Sequence, residues 1–426
     1  MASASVDATL RLMTRTTPSL RGRHRVVVAG GGVAGLETVL ALSRLAPGLV
    51  DIELVAPEHH FWYRPLAVAE PFDAGRVVRF ELAALAAEAG ATYTPGELVG
   101  VRTDERVGEL AHGADVPYDS LVLAAGAVPE EAVHGALTFR GPADTDRFRG
   151  LLDEIEEARR GTLAFVHPGG TGWPLPLYEL ALMTAAELAE RAPEVRVRLV
   201  TREAAPLELF GGAASDAVRD LLVQRRIEIS AGLYASSWAN GALETVPDGP
   251  VEATWAVALP TLRGPDLAGV PRGRGGFVPT DRHGRVHGLE GVYAAGDLTA
   301  FPIKQGGLAA QQADAVAESI AAAAGARIDP RPFEPVLRGL LLTGGAPAYL
   351  RAELGGGRGE TSIVANEALW WPPGKIVGRE LAPFLARVAG VEPLAPLEAP
   401  GVVAIEIPLE TEPAAAETAG ASPSNW

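Results

Sequence analysis

The chain has 426 residues, 47% of them apolar and 21% charged, which suits two to three globular domains with a sizeable core. Acids outnumber bases 53 to 37, and a net charge of −16 repels phosphate backbones, so nucleic acid is set aside as a partner. Cysteine is absent and Met occurs three times, which excludes disulfides, thiolate metal sites, thiol nucleophiles and dithiol relays, and leaves no metal site in view.

Residues 1–24 are Arg-rich with one acid, Asp7, and no apolar core; they read as a flexible leader, or as sequence upstream of a start at Met13. Val26 to Ala29 is a short apolar run that stops at glycines, and an apolar-periodic stretch follows from Leu36 to Leu45. Asp51 to Val55 forms the next strand, so the chain opens as a βαβ unit with parallel strands. Between the first strand and the helix, Gly30-Gly31-Gly32-Val33-Ala34-Gly35 matches G-x-G-x-x-G. In that context Gly30 allows the tight turn, Gly32 admits a pyrophosphate close to the backbone, and Gly35 lets helix and strand pack. The N–H groups of Val33 and Ala34 open the helix toward the anion. The acid expected at the end of the second strand, for the ribose hydroxyls, is displaced: Ala56 stands there, and Glu58 is the nearest carboxylate.

A second unit of the same kind begins at Thr162. It has a strand through Val166, a Gly/Pro turn, a helix from about Leu177 to Arg191 and a strand from Val195 to Val200. Two further strands end in small residues: Leu121 to Ala124, followed by Ala125-Gly126, and Gly291 to Ala295, followed by Gly296-Asp297. The latter precedes an Ala-rich helix from about Gly307 to Ala324. Residues 332–400 mix short strands and turns with one amphipathic segment around Ile376 to Val388, and residues 410–426, Pro/Ala/Thr-rich and aperiodic, read as a disordered tail. No run reaches the roughly 18 to 20 apolar residues of a membrane span, so a cytoplasmic protein is expected, at most peripheral to the inner membrane face.

The Gly30 loop, the Ala125-Gly126 strand end and the Gly296-Asp297 strand end together resemble the FAD-binding set of the pyridine nucleotide–disulfide oxidoreductase superfamily. Within it, the chain is similar to the branch of type II NADH dehydrogenases and sulfide:quinone oxidoreductases. The resemblance implies an α/β fold with two Rossmann-like dinucleotide-binding domains, the FAD domain being discontinuous, and a C-terminal α+β interface region. The implied division is 25–140 and 259–327 for FAD, 141–258 for the second domain and 328–409 for the C-terminal region. It also implies that Asp297 accepts a hydrogen bond from the ribityl chain, and that the Tyr63-Arg64-Pro65 turn lies against the flavin. Lys304-Gln305-Gly306, opening the Ala-rich helix, would face the flavin's pyrimidine end. A lysine and a helix N-terminus there would raise the reduction potential, since reduced flavin is negative near N1. Lysine occurs only at Lys304 and Lys375 in this Arg-dominated chain, which singles Lys304 out. Glu179 stands where the superfamily often has a glutamate near the flavin, a candidate for proton handling beside the reading as a helix-start acid.

The chain departs from the superfamily in two places. Without cysteine, dithiol exchange and persulfide chemistry are excluded. In the second loop, His167 replaces the first glycine, Trp173 and Pro174 stand where the helix should open to a pyrophosphate, and Pro168, Pro174 and Pro176 bring no N–H. Thr201 holds the place of the NAD-ribose acid, with Arg202 and Glu203 beside it. The second domain is therefore expected to be a retained structural wall, with NAD(P)H binding as the alternative. His59-His60-Phe61-Trp62-Tyr63 reads equally as a wall of the flavin's substrate face and as loop packing. Trp370, Trp371 and Phe384 read as core or dimer-interface packing in preference to membrane docking.

The expected activity is FAD-dependent transfer of electrons from a reduced donor to a quinone or other small acceptor, without a redox disulfide. Two alternatives stay open: a flavoenzyme oxidising an organic metabolite directly, and a non-catalytic flavin-binding partner protein. A homo-oligomer is compatible with either.

Overall fold

The computed structural model describes residues 22–170, 172–354, 360–389 and 404–405. The tail at 410–426 and all but the last three residues of the leader lie outside them. Two five-stranded parallel sheets and one four-stranded antiparallel sheet are the largest of the described sheets, and four smaller ones of two or three strands accompany them.

The first sheet is nucleated by β1 (His24–Ala29), whose Val26, Val27 and Val28 are fully buried, as suits a parallel strand covered on both faces. Glycines end it, α1 (Val33–Leu45) crosses over, and β2 (Val50–Ala56) returns parallel to β1. β3 (Thr92–Pro95) adds outside β2, and β4 (Ser120–Leu123) pairs with β1 on the other side, so strand order reverses between β1 and β4. A crevice outside the carboxyl ends of strands at such a reversal is where open α/β sheets bind ligands.

The second sheet repeats this plan. β5 (Leu137–Thr138) and α2 (Thr145–Ala158) lead to β6 (Arg160–His167), followed by α3 (Leu175–Arg191), β7 (Glu194–Thr201), β8 (Ile227–Ser230) and β9 (Trp255–Ala258). Its order is β5-β9-β6-β7-β8, all parallel. The chain then returns to the first sheet. β10 (Val292–Ala294) pairs with β4, and α4 (Gly306–Ala323) packs against α1, giving the first sheet the order β10-β4-β1-β2-β3. The Ala-rich composition of α4 is what permits this close approach: Ala309, Ala313 and Ala317 are buried in the same core as α1's Leu36, Val39 and Leu42.

β11 (Val336–Leu341), β12 (Ala348–Glu353), β13 (Glu360–Ala365) and β14 (Ala404–Ile405) form the antiparallel sheet, with α5 (Leu381–Val388) preceding β14. The amphipathic segment expected from Ile376 to Val388 is helical only from Leu381. Glu37 explains the start point. Its two carboxylate oxygens accept the N–H groups of Glu380 (2.7 Å) and Leu381 (2.8 Å), a cap for α5 supplied by α1 across more than 340 residues. The apolar face of α5 is used in the core, where Leu381, Phe384 and Leu385 join the cluster of β1 and α1. Trp370 is buried likewise, edge-on to Tyr349 at 5.2 Å. Among the described residues no helix is long and apolar enough to cross a membrane.

Candidate functional site

The glycine loop after β1 is shaped by its neighbours. Gly30 has φ +128°, and a side chain there would strike the carbonyl of Ala124 at 2.2 Å; a Cβ on Gly35 would lie 1.9 Å from the carbonyl of Gly30. Both positions therefore require glycine. A Cβ on Gly32 would meet nothing within 4 Å, so that backbone faces open space. The N–H groups from Gly31 through Gly35, Val33 and Ala34 included, donate to no acceptor among the described residues; the first helical bond is Leu36 to the Gly32 carbonyl. Five successive free donors at a helix N-terminus form an anion cradle.

The other strand ends converge on this loop. Gly126 takes φ +72° beside Ala125, and a Cβ on it would also meet nothing within 4 Å. Gly296 has φ +84°, lies against Ala34, and donates its N–H to Gln312 Oε1 at 2.7 Å. Thr299 Oγ1 donates to the Gly296 carbonyl at 2.9 Å, so Gln312 and Thr299 together clamp the turn that presents Asp297. Asp297 is half-buried and accepts no hydrogen bond from the described residues. Burial pushes its carboxyl up, opposed by the charges of Lys304 and Arg64.

Lys304 is buried at 5% exposure. Its ammonium donates to the Thr299 carbonyl and sits 3.8 Å from the centre of the Phe277 ring. It makes no ion pair among the described residues, and burial lowers its pKa to about 8 against the opposing charge of Asp297. Gln305 caps α4: its Oε1 accepts the Leu308 N–H at 2.8 Å, while its Nε2 donates to the Arg338 carbonyl at 3.0 Å. The side chain of Gln305 is thus spent on the protein, leaving the N–H groups of Gly306 and Gly307 free of protein acceptors among the described residues. Glu58 lies exposed beyond β2, tied in only through its carbonyl, which accepts the Tyr93 hydroxyl at 2.8 Å; Arg64, His59 and His60 are exposed as well.

The second loop is built differently. A Cβ on Gly169 would lie 2.3 Å from Cδ of Arg202, so the stem of Arg202 crosses the loop where a pyrophosphate would approach. Pro174 and Pro176 bring no N–H to the opening of α3, and that of Leu177 is taken by the Pro174 carbonyl at 3.0 Å. Trp173 packs edge-on to Phe210 at 5.6 Å. Glu203 is turned inward, accepting from the Tyr178 hydroxyl at 2.7 Å and Thr201 Oγ1 at 3.0 Å, and burial raises its pKa to about 7. His167 is buried with its pKa lowered to about 4, by burial first and by Arg202 second.

The family model described as pyridine nucleotide-disulphide oxidoreductase matches residues 24–323. The chain belongs to that family. It is similar to the type II NADH:quinone oxidoreductase Ndh of Mycobacterium tuberculosis, 28% identical over 369 residues that cover 75% of this chain and 78% of the relative. It is also similar to the sulfide-quinone reductase of Aquifex aeolicus, 25% identical over 65% of this chain and 69% of the relative. The solved structure of the Aquifex aeolicus sulfide:quinone oxidoreductase shares the fold, with a TM-score of 0.72 at 21% identity, covering 80% of this chain and 86% of that one. The protein is an oxidoreductase of the FAD/NAD(P) class with two Rossmann-like domains, and within its family it is one whose sequence contains no cysteine.

In this oxidoreductase Glu179 is fully buried at the start of α3, and it is not alone. Lys375 Nζ donates to its Oε2 at 2.6 Å, and the Leu342 N–H to its Oε1 at 2.9 Å. Burial pushes the Glu179 carboxyl up, and Lys375 opposes that. Both lysines of the chain are therefore buried at positions where a charge has to be held. The same scarcity that marked Lys304 pointed equally at Lys375, whereas nothing in the sequence pointed to Gln312, Thr299 or Phe277. Ile376, next to Lys375, lies 3.3 Å from where a Cβ on Gly306 would stand, so the pair borders the opening of α4.

Between the two sheets runs a cleft of about 220 Å³. Arg64, Arg140, His167 and Lys304 line it with the aromatic walls Phe139 and Trp173, and no acid lines it among the described residues. In a chain of net charge −16 this is a local reversal of sign.

Proposed function

We propose that the protein is an FAD-dependent oxidoreductase that passes electrons from a reduced donor to a quinone or other small acceptor without a redox disulfide. The observation that carries this reading is the cradle: the N–H groups from Gly31 to Gly35 are free, and Gly296, which lies against Ala34, is followed by Asp297, a carboxylate with no hydrogen-bond partner among the described residues. Such residues fit a dinucleotide, with the pyrophosphate on the N–H groups and a ribityl hydroxyl donating to Asp297. Gly126 and Gly32 leave the backbone open for close approach, and Arg64 stands at the mouth. Glu58 is the acid nearest the ribose end. When bound, FAD supplies two-electron acceptance and release at its isoalloxazine. The chain's own contribution is electrostatic: buried Lys304 and the free N–H groups of Gly306 and Gly307 set a positive potential at one side of the site. Glu179, paired with Lys375, is assigned to proton handling for an acceptor that takes up protons with its electrons. The division of the chain into 25–140 with 259–327, 141–258 and 328–409 belongs to the same proposal, as does attachment at a membrane surface if the acceptor is a quinone.

The second loop favours a second reading of the donor. Arg202 lying on Gly169 and two prolines at the start of α3 set this loop apart from the first one, although Gly170 and Gly172 face open space; that difference supports an organic metabolite oxidised directly at the flavin over NAD(P)H. Anaerobic titration of flavin-loaded protein with NADH and then NADPH, followed by visible absorbance, separates the two. Bleaching by either nucleotide supports the NADH dehydrogenase form, and a flavin that stays oxidised supports the organic donor. A protein that neither purifies with flavin nor takes it up would overturn the whole proposal.

A further inference from the structure

A second cavity, of about 570 Å³, lies elsewhere, between α4 and the antiparallel sheet. None of the residues assigned above to FAD lines it. Its floor is a row across three strands: Arg338 of β11 stands directly opposite Arg351 of β12, which stands opposite Ile363 of β13. Like charges placed opposite each other on neighbouring strands repel, and the arrangement costs stability unless something offsets it.

The acids around the cleft are taken by other cations. Glu318 binds Arg331 and, at 3.3 Å, Arg379. Asp314 is 3.8 Å from Arg379, and Glu334 is 3.7 Å from Arg282. Arg351 is paired with Glu353 at 2.6 Å. Arg338 is left over: half-buried, it forms no ion pair and its guanidinium donates no hydrogen bond among the described residues. Burial first and the neighbouring Arg351 second push its pKa down, opposed by the charge of Glu353. The strand that carries it is nevertheless firmly held. Its carbonyl accepts from Gln305 Nε2 at 3.0 Å, and Val336 exchanges two hydrogen bonds with Gln311, at 2.8 and 2.9 Å. A half-buried guanidinium that donates no hydrogen bond among the described residues, on a fixed strand, is an arrangement that a carboxylate completes, because the planar fork matches two oxygens. One part of the wall is apolar, with Phe333, Leu369 and Trp370 facing the same space as the floor.

We propose that this cleft binds a small organic anion, a carboxylate carried on an apolar body, with the carboxylate held by Arg338 and Arg351 and the body against Trp370 and Leu369. The site is separate from the dinucleotide cradle, and the proposal stands whichever donor or acceptor the protein uses.

Isothermal titration of the full-length protein with benzoate, and separately with inorganic phosphate, tests it. Benzoate is expected to bind one-to-one and more tightly than phosphate, and Arg338→Gln to weaken benzoate by at least about tenfold, the scale of one lost charge-assisted contact. Ile363→Asp, which places a carboxylate on the floor of the cleft, is expected to weaken benzoate as well. Circular dichroism checks that the variants fold. If Arg338→Gln does not fold, Arg338→Lys, which keeps the charge and loses the fork, and Ile363→Asp carry the test. Unchanged benzoate affinity in the folded variants overturns the proposal, as does an absence of benzoate binding. Phosphate binding as tightly as benzoate overturns the apolar half of the assignment.

Discussion

Glu179 and Lys375, 196 residues apart in the chain, meet at 2.6 Å with both side chains buried, joining α3 of the second sheet to the C-terminal region. Removing one partner of such a pair leaves a charge in a low-dielectric interior with nothing to balance it. Lys375→Met is therefore expected to cost about 3–5 kcal/mol in urea unfolding. The double change Lys375→Met with Glu179→Leu, which removes both charges, should recover most of that loss. A single variant as stable as the wild type would show that the pair is not held as described.

Two glycines of the first loop separate packing from cofactor binding. At Gly35 a methyl group collides with the Gly30 carbonyl, so Gly35→Ala should lower both stability and flavin content. At Gly32 it meets no protein atom, so Gly32→Ala should keep the thermal stability of the flavin-free protein while weakening flavin affinity at least about tenfold. The absorbance ratio of flavin to protein after purification reads the difference. Full flavin content in Gly32→Ala would remove the cradle from the proposed function.

Lys304 carries a prediction about redox poise. Its buried ammonium has no carboxylate partner within ion-pair distance among the described residues, so its field is available to a reduced flavin. Lys304→Met is expected to lower the two-electron potential by about 30–60 mV, equivalent to roughly 1.4–3 kcal/mol. Equilibration with a dye of known potential measures it. Equal potentials in the two proteins would place Lys304 away from the flavin.

Stability should depend on pH through Glu37, whose pKa burial raises to about 8, with the charge of Asp314 adding to the effect. A carboxyl raised in the folded state keeps its proton where the unfolded chain has lost it, so stability falls as pH climbs from about 4.5 to 8. His167 acts oppositely. Its folded pKa of about 4 lies below the ordinary imidazole value of 6.5, so its contribution grows with pH and is complete above 6.5. Between pH 6.5 and 8, then, Glu37 makes the wild type lose about 2 kcal/mol on its own account. Glu37→Gln should lack that part of the slope, though it weakens the cap on α5. Parallel stability–pH curves for the two proteins would count against a protonated Glu37.

The glycine loop, the parallel strands and the ends of α4 are local facts of the sequence: hydrophobic runs, turn glycines and spacing set them within a few residues. That Phe384 packs into a core or interface was readable in outline, but the start of α5 at Leu381 was not, because the capping carboxylate comes from Glu37 on another helix. The second loop shows the same division. Its prolines and missing first glycine were visible in the string, while the stem of Arg202 lying on Gly169 depends on how β7 ends beside β6. Glu203, read beside Thr201 as an ambiguous ribose position, is committed instead to Tyr178 by the interior of its own domain.

The sequence by itself determined the two βαβ units, the absence of thiol chemistry and the scarcity of lysine, because these depend on residue type, short-range order and composition. Only the tertiary structure decided that Glu179 holds Lys375, that Gln305 is spent on its helix cap, that Asp297 has no hydrogen-bond partner among the described residues, and that Arg338 stands opposite Arg351. Each of these is a meeting of side chains or backbone from separate elements. Their energies depend on burial and on which partner arrives, and neither is written along the chain.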